Sequence, residues 1–572
     1  MGVIKLEKLT GHSDSGKITR IYVNPGDTVK KGDKLLDIES KKGSVSTTAG
    51  FQCEIKDVLV EVGASISIGE PLFKIPAGAE KVKEKKKAGK AKTGSASSYF
   101  GNMLKPKKEK IEADIAIIGG GPGGYVAALQ AGLLGKKVVL IEKNKLGGTC
   151  LNEGCIPTKT LVRSAEVFHL VREAEKMGIG VENAAVDLKG VMKRKNEIVG
   201  QLVSGIDFLL KKRNVKVVKG MGDLIDKNIV MVKEGLNETT IHAENIIIAT
   251  GGKVSQLNIP GSNSKNIITS KEALELKEMP GKMIIIGGGI IGMEFAFIYA
   301  SFGVQVTVVE YADSILNTID EDVVEVILQS AKEKGIRVIS NGAVTEILDG
   351  EDNESIVKVK IGEEKRYFSA DKVLIAVGRD TCFEGIDHEK VGLVLNEYGN
   401  GIEVNEFMQT NIPNIYAIGD VTRKMLLAHV ASHQGVVAVK HIAGEEEAMN
   451  YSVVPNVVFT MPEIATAGYS ESELEGRNIK VSKFPFEANG KALALGDSMG
   501  FVKLIEDIDE KKLVGAVIVG PHASDMITEA ALCIRNGLGS REIIKTIHAH
   551  PTTAEAIHEA ALGLNGGALH FE

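Results

Sequence analysis

The sequence predicts an α/β chain with two copies of a strand–glycine turn–helix domain, preceded by a small all-β sandwich. Three observations predict it: a glycine-rich turn that occurs twice with the same downstream carboxylate, an internal repeat in the first 76 residues, and a lysine-rich stretch between these regions. A length of 572 residues suits about four domains. A hydrophobic content of 43% with 64 glycines fits an α/β protein with many tight turns. The net charge of -6 gives no general attraction to nucleic acid. No apolar run approaches the roughly 20 residues that span a bilayer, and Met1-Gly2-Val3-Ile4-Lys5 lacks the apolar core of a signal peptide. The expectation is a cytoplasmic chain with neither nucleic acid nor membrane as a partner.

Residues 1–76 repeat themselves. Gly16, Gly26 and Gly32 are echoed 37 residues later by Cys53, Gly63 and Gly69, and each half alternates apolar and polar residues between glycine turns. Two matching sets of short strands imply a two-fold-symmetric β-sandwich. Between them Glu39-Ser40-Lys41-Lys42-Gly43 reads as a polar hairpin tip. This resembles the lipoyl and biotinyl carrier domains, and the resemblance implies Lys42 as the attachment point of a lipoyl group. Lys41-Lys42-Gly43 stands where that family usually has Asp-Lys-Ala, and Ser46-Thr47-Thr48 replaces its proline-containing stretch. An unmodified domain that only docks a partner is the alternative. Residues 77–110, with the run Lys81 to Lys87, bury no core and repel one another into an extended tether.

The glycine turns carry the next inference. An apolar strand at 114–118 runs into Gly119, Gly121 and Gly124, and a second strand ends at Glu142, 18 residues after Gly124. The glycines permit a tight turn and close approach of a pyrophosphate to a helix N-terminus, and the carboxylate can bind a ribose hydroxyl pair. The pattern recurs with Gly287, Gly289 and Gly292 and with Glu310, again 18 residues on. Duplicate motif and duplicate spacing imply two dinucleotide sites. Glu310 accepts from a free 2′-hydroxyl and repels a 2′-phosphate, and Tyr311-Ala312-Asp313 offers no arginine, so the second site expects NAD rather than NADP.

Between the two fingerprints lies Gly147-Gly148-Thr149-Cys150-Leu151-Asn152-Glu153-Gly154-Cys155-Ile156-Pro157-Thr158-Lys159. Two cysteines five apart, just downstream of a dinucleotide fingerprint, point to a redox disulfide beside a flavin. A regular helix would put them on different faces, and Gly154 and Pro157 supply an irregular turn that brings them together. A helix starting near Pro157 favours a thiolate at Cys155. Five cysteines are too few for a disulfide scaffold, so a bond in a reducing compartment is catalytic rather than structural. Cys53, Cys382 and Cys533 read as packing residues.

Residues 111–572 resemble the pyridine nucleotide–disulfide oxidoreductases. Beyond the fingerprints and the cysteine run, the resemblance rests on Ile248-Ala249-Thr250-Gly251, Ala376-Val377-Gly378-Arg379, a stretch from Thr410 to Gly419-Asp420, and His548-Ala549-His550-Pro551-Thr552-Thr553-Ala554-Glu555. Thr553-Ala554 departs from the commoner Leu-Ser or Met-Ser. The family's domain order implies two Rossmann-like domains and an α+β interface domain: FAD on 111–255 with 379–450, NAD on 256–378, and an interface domain at 451–572. The resemblance implies FAD at Gly119, Gly121, Gly124, Glu142, Thr149, Lys159, Thr250, Gly251 and Asp420, and NAD at Gly287, Gly289, Gly292, Glu310 and Gly378. It implies His550 as the base that deprotonates a substrate thiol, oriented by Glu555, since histidine titrates near neutrality and a carboxylate fixes its tautomer. It implies Cys150 as the interchange cysteine, Cys155 as the thiolate beside the flavin, and Lys159 with Glu294 as an ion pair near the flavin N5.

The activity so implied is oxidation of a protein-bound dihydrolipoyl dithiol with transfer of a hydride to NAD⁺. The implied partners are a second copy, whose His550 reaches the disulfide, and a lipoyl-bearing acyltransferase or carrier protein of a 2-oxoacid dehydrogenase-type complex. The alternatives are another NAD(P)H-dependent FAD disulfide reductase and an N-terminal docking scaffold. Against a glutathione- or mercuric-type enzyme stand Glu310 without basic neighbours and a C-terminus without a second cysteine pair. His429 and His433 read as structural, and His548, His558 and His570 receive no role.

Overall fold

The computed structural model describes residues 2–6, 15–30, 32–40, 43–49, 52–67, 70–76 and 108–571. The chain forms two compact units, Met1–Asn102 and Met103–Glu572. In the first, the alternating pattern buries Ile18, Leu36, Ile38, Ile55, Ile66 and Phe73 in one core. One sheet orders Gly43–Thr48, Lys34–Ser40, Ser15–Ile21 and Ser65–Ser67, and another orders Gly2–Lys5, Pro71–Ile75 and Asp57–Val58.

The repeat is written in the hydrogen bonds. Gly26 N–H donates to Ile55 O at 2.7 Å, and Gly63 N–H donates to Ile18 O at 2.8 Å. Ile55 N–H donates to Asp27 O at 2.8 Å, and Ile18 N–H to Ala64 O at 2.9 Å. Each bond maps onto its counterpart when the halves exchange. Gly26 and Gly63 turn at φ +96° and +95°, a left-handed conformation that strains other residues. Ser40 pairs with Gly43 at the end of the hairpin Lys34–Ser40/Gly43–Thr48. Lys42 itself lies outside the described residues, as does the linker stretch 77–107.

The second unit begins earlier than its apolar residues indicate. The strand Lys108–Ile118 starts inside the stretch read as linker. Its charged first half is held by a continuous parallel ladder with Asn237–Ile248, from Lys108 opposite Glu238 to Ile118 opposite Ile248. Cross-strand pairing overrides the polar composition there. The sheet runs Lys216–Lys219, Val138–Glu142, Lys108–Ile118, Asn237–Ile248, Ile229–Glu234 and Met221–Asp226, and Ile415–Ala417 also pairs with Asn237–Ile248. The late strand thus returns to the first sheet.

A second, all-parallel sheet orders Ile267–Thr269, Lys372–Ile375, Lys282–Ile286, Gln305–Val309 and Arg337–Ile339. Gly252–Val254 and Arg379–Thr381 pair where the chain passes between the two sheets. A third, antiparallel sheet orders Asn456–Val458, Glu463–Gly468, Lys512–Gly520, Phe501–Asp507 and Ile479–Pro485. It is backed by Ala523–Arg535 and Glu555–Leu564.

These layers meet on the helix Ile290–Ser301. Nearly every side chain of that helix is buried, as expected of a helix apolar on all faces. Leu161, Val162 and Ala165 of Cys155–Arg172 pack against it, with Val458 and Val519 of the antiparallel sheet in the same core. Its single charged residue, Glu294, is held where the layers converge.

Candidate active site

The mixed first sheet and the all-parallel second sheet each present a glycine cradle, and the two cradles agree atom for atom. Gly120 N–H donates to Glu142 Oε2 at 2.7 Å, and Asn144 N–H to Glu142 Oε1 at 2.6 Å. In the second copy, Gly288 N–H donates to Glu310 Oε2 at 2.6 Å, and Ala312 N–H to Glu310 Oε1 at 2.7 Å. Each carboxylate is thus tied to its own glycine loop, with lone pairs left for a ribose.

The glycines divide their work in the same way twice. A Cβ on Gly124 would lie 1.8 Å from Gly119 O, and one on Gly292 would lie 1.9 Å from Gly287 O. These two let strand and helix touch. By contrast a Cβ on Gly289 would meet nothing within 4 Å, and one on Gly121 only Gly148 Cα at 3.9 Å. Gly121 and Gly289 are the N-caps of Pro122–Leu133 and Ile290–Ser301, without a side-chain cap. Open space at an uncapped helix N-terminus fits a pyrophosphate, so the residues present fit two dinucleotides.

Further candidates border the first cradle. Thr149 is exposed in the helix Gly148–Glu153. Thr250 Oγ1 donates to Cys382 O at 2.6 Å, and Gly251 turns at φ +71°. Burial pushes the Asp420 carboxyl up, and Arg379 and Arg423 pull it back only in part. Gly378 turns at φ +122° beside the second cradle's sheet.

Cys150 stands in Gly148–Glu153, and Cys155 is the first residue of Cys155–Arg172. The second helix thus starts near Pro157 as expected, with Gly154 at the break as its N-cap. A Cβ there would lie 3.1 Å from Thr149 O and 3.6 Å from Cys150 Cα, so glycine lets the helices close on each other. Both cysteines are thiols in this structure. The Cys150 thiol hydrogen-bonds the Cys155 sulfur and, with the Lys159 ammonium, outweighs burial and pulls Cys155 down to about 7. The same bond and burial push Cys150 up. Cys155 is the better thiolate, in line with its place at a helix N-terminus.

Lys159, one turn after Cys155, places Nζ 2.9 Å from both Oε1 and Oε2 of Glu294. The Glu294 side chain is 6% exposed, and a charge so buried needs a partner. It has a second: Phe459 N–H donates to Glu294 Oε1 at 3.0 Å. The Phe459 ring centre lies 4.2 Å from Lys159 Nζ. Sequence reasoning missed Phe459, since a backbone donor leaves no mark in residue type or spacing. It also missed Gln434, whose buried Oε1 accepts from Gly419 N–H at 2.6 Å beside Asp420.

His550 and Glu555 form a separate pair, His550 Nδ1 to Glu555 Oε1 at 2.9 Å. Burial raises Glu555, but Thr552 N–H at 2.8 Å and His550 more than offset it, so the carboxyl is held below its ordinary range. An ionised carboxylate only accepts, so Nδ1 is the donor of this bond and Nε2 is the ring nitrogen left for a substrate. The His550 side chain is 81% exposed. Among the described residues no hydrogen bond or ion pair joins it to Cys150 or Cys155. His548 pairs with Glu529 at 2.9 Å and His570 with Glu559 at 2.7 Å, while His429 faces Pro455 O at 3.0 Å. No helix among the described residues is long and apolar enough to cross a membrane.

Two dinucleotide cradles flanking a cysteine pair define a nucleotide-dependent disulfide oxidoreductase. The chain belongs to the pyridine nucleotide-disulphide oxidoreductase family, whose model matches residues 113–435 and whose dimerisation domain matches 454–561. Residues 6–75 match the domain described as that of biotin-requiring enzymes, which covers lipoyl domains as well. The chain is 42% identical over 475 residues to the dihydrolipoyl dehydrogenase of Bacillus subtilis, across 80% of this chain and 99% of that protein. Among solved structures it resembles LpdA from Mycobacterium tuberculosis, with TM-score 0.74 and 28% identity over 79% of this chain and 99% of that one. It also resembles the HOCl-induced flavoprotein disulfide reductase RclA from Escherichia coli, with TM-score 0.71 and 30% identity over 78% of this chain and 99% of that one.

Proposed function

We propose that this chain is a dihydrolipoyl dehydrogenase that works as a homodimer and carries a lipoyl arm of its own on Lys42. The observation that carries the reading is the placement of Cys155 at a helix N-terminus with Cys150 on one side and Lys159 on the other. Support for the substrate comes from the relatives' names and from the lipoyl-type domain at residues 6–75.

In this reading Nε2 of His550, presented by the partner subunit, takes a proton from one thiol of the dihydrolipoyl group. The resulting thiolate attacks Cys150 of the oxidised Cys150–Cys155 pair, and Cys155 leaves as a thiolate held by Lys159 and the helix N-terminus. The second substrate thiol attacks the mixed disulfide, and its proton passes to the departing Cys150 sulfur. This releases the cyclic disulfide and leaves Cys150 a thiol, Cys155 a thiolate and the first proton on His550. FAD in the first cradle supplies an acceptor for the electron pair of the dithiol and, in turn, a hydride donor to NAD⁺. Glu142 and Asp420 would hold and orient the first nucleotide, together with Thr149, Thr250 and Gly251. Glu310 and Gly378 orient the second. Lys159 and Glu294 would hold a fixed pair of charges beside the flavin.

The two cradles and the antiparallel sheet support a division of residues 111–572 into FAD-binding segments 111–255 and 379–450, an NAD-binding segment 256–378 and an interface segment 451–572. The exposure of His550 supports a site completed by a second copy. A lipoyl-bearing acyltransferase or carrier protein is the expected physiological partner, in a cytoplasmic multienzyme complex. The test is an anaerobic thiol count on the FAD-loaded protein before and after NADH, alongside NAD⁺ reduction by dihydrolipoamide. Two new thiols, lost together in Cys155→Ser, support the reading; no new thiols would reject it. Peptide mass around Lys41 and Lys42 in protein from cells with lipoate ligase tests the arm.

A further inference from the structure

Parts of the chain far apart in sequence converge on one ammonium group. Lys159 stands on Cys155–Arg172, Glu294 on Ile290–Ser301, and Phe459 directly after the strand Asn456–Val458. Lys159 Nζ is 2.9 Å from each Glu294 oxygen and 4.2 Å from the centre of the Phe459 ring, while Phe459 N–H donates to Glu294 Oε1 at 3.0 Å. One residue thus holds both members of the pair, the carboxylate through its backbone and the ammonium through its ring. Any side chain would supply the first contact. Only an aromatic ring supplies the second, through the attraction of a cation to the ring face.

A lysine needs that second contact here. Its ammonium is a compact charge on a flexible stem, strongly drawn to water. The Lys159 side chain is 30% exposed even with the Phe459 ring beside its ammonium, so Glu294 alone would leave it freer still to swing outward.

We propose that Phe459 is a positioning residue of the dithiol reaction, whose ring holds the Lys159 ammonium between Glu294 and Cys155 so that one positive charge serves both. The inference rests on the reading of Cys155 as the thiolate-forming cysteine. The groups acting on the cysteine pair are Cys150 and Cys155 on each other, Lys159 in favour of both thiolates and Glu294 against that of Cys155. Tyr125 is raised by burial first and by Cys150 second. Of these, Lys159 is the cation, so a shift in its place is felt directly at Cys155.

The experiment measures alkylation of Cys155 by iodoacetamide against pH, read by peptide mass, in FAD-loaded protein carrying Cys150→Ser. Phe459→Leu and Phe459→Tyr are compared in that background. The leucine variant keeps the backbone bond to Glu294 and loses the ring; the tyrosine variant keeps both. With the ring lost, Cys155 should alkylate about fivefold more slowly below its midpoint, the equivalent of about 1 kcal/mol of thiolate stabilisation, and the tyrosine profile should match the parent. An unchanged or lowered midpoint in Phe459→Leu, or a tyrosine variant that behaves like leucine, overturns the proposal. A parent with an ordinary thiol midpoint instead overturns the underlying reading of Cys155. FAD content and melting temperature, followed in parallel, separate a lost fold from a moved charge.

Discussion

Lys503 Nζ lies 2.5 Å from Asp320 Oδ2, although Lys503 belongs to the antiparallel strand Phe501–Asp507 and Asp320 directly precedes the helix Glu321–Glu333 beside the all-parallel sheet. The lysine is fully buried. It also reaches Asp322 at 3.0 Å and Glu471 at 2.7 Å, and Lys483 pairs with Asp322 as well. A buried charge with its partner removed costs about 3–5 kcal/mol, so Lys503→Met should lower the melting temperature clearly at neutral pH.

The pH limits follow from the signs. Burial opposes the charge on Lys503, but Asp320, Glu471 and Asp322 outweigh it and raise its pKa. That stability is full below the free-lysine value, about 10.4, and is lost as pH rises through the higher folded value. Burial pushes Asp322 up, but Lys483 and Lys503 hold it below its ordinary range. Its share is full above about 3.9 and is lost as pH falls through the lower folded value. Melts of wild type and Lys503→Met should therefore differ most between those limits and converge outside them. Equal melts at neutral pH would rule the network out as a brace.

The cysteine pair makes a sharper prediction. The hydrogen bond from Cys150 is the largest influence lowering Cys155 to about 7. Serine can replace that donor and alanine cannot. Cys150→Ala should therefore move the alkylation midpoint of Cys155 to higher pH than Cys150→Ser. Coincident midpoints would shift the credit to Lys159 and the helix N-terminus.

The features legible in the sequence are those whose physics repeats. The 37-residue echo appears as exchanged bonds between Gly26 and Ile55 and between Gly63 and Ile18. The 18-residue spacing places Glu142 and Glu310 under their own glycine loops because strand, turn and helix leave few other lengths. Other features depend on contacts that no local pattern encodes. The charged residues Lys108 to Lys110 read as linker because their partners, Glu238 to Thr240, lie over a hundred positions away. The helix Cys155–Arg172 does start near Pro157, a common opener of helices, but the crowding around Gly154 that sets the break at that residue has no local signature. Phe459 was invisible because its amide, not its residue type, holds Glu294.

Glu310 should govern the choice of nicotinamide coenzyme. Glu310→Ala removes the acceptor for a ribose hydroxyl and also frees the N–H groups of Gly288 and Ala312. A hydrogen bond to a charged group is worth about 1.5–3 kcal/mol, so NAD⁺ affinity should fall by roughly tenfold or more. Glu310→Gln keeps an acceptor and removes the charge, so it should weaken NAD⁺ less while admitting NADP⁺. Binding isotherms for both coenzymes decide this; an unchanged preference in Glu310→Gln would mean that charge is not what rejects the 2′-phosphate.

His550 tests the mechanism and the oligomer together. Its Nδ1 is fixed by Glu555 and its side chain is 81% exposed, without a hydrogen bond or ion pair to the cysteine pair of its own chain among the described residues. A base presented this way can serve a second subunit, as in two-fold assemblies whose sites are shared. His550→Ala should slow dihydrolipoamide oxidation by about 10²–10⁴-fold, the usual reach of general acid–base catalysis, while NADH still reduces an artificial acceptor. Cys155→Ser should be inactive toward dihydrolipoamide for a different reason. Dissociated and reassociated together, the two inactive proteins form hybrids in which one site has intact cysteines from one chain and intact His550 from the other. Each hybrid dimer should regain about half of the wild-type activity. If His550 acted on its own chain's cysteines, every site in the hybrid would carry one defect, and no activity would return.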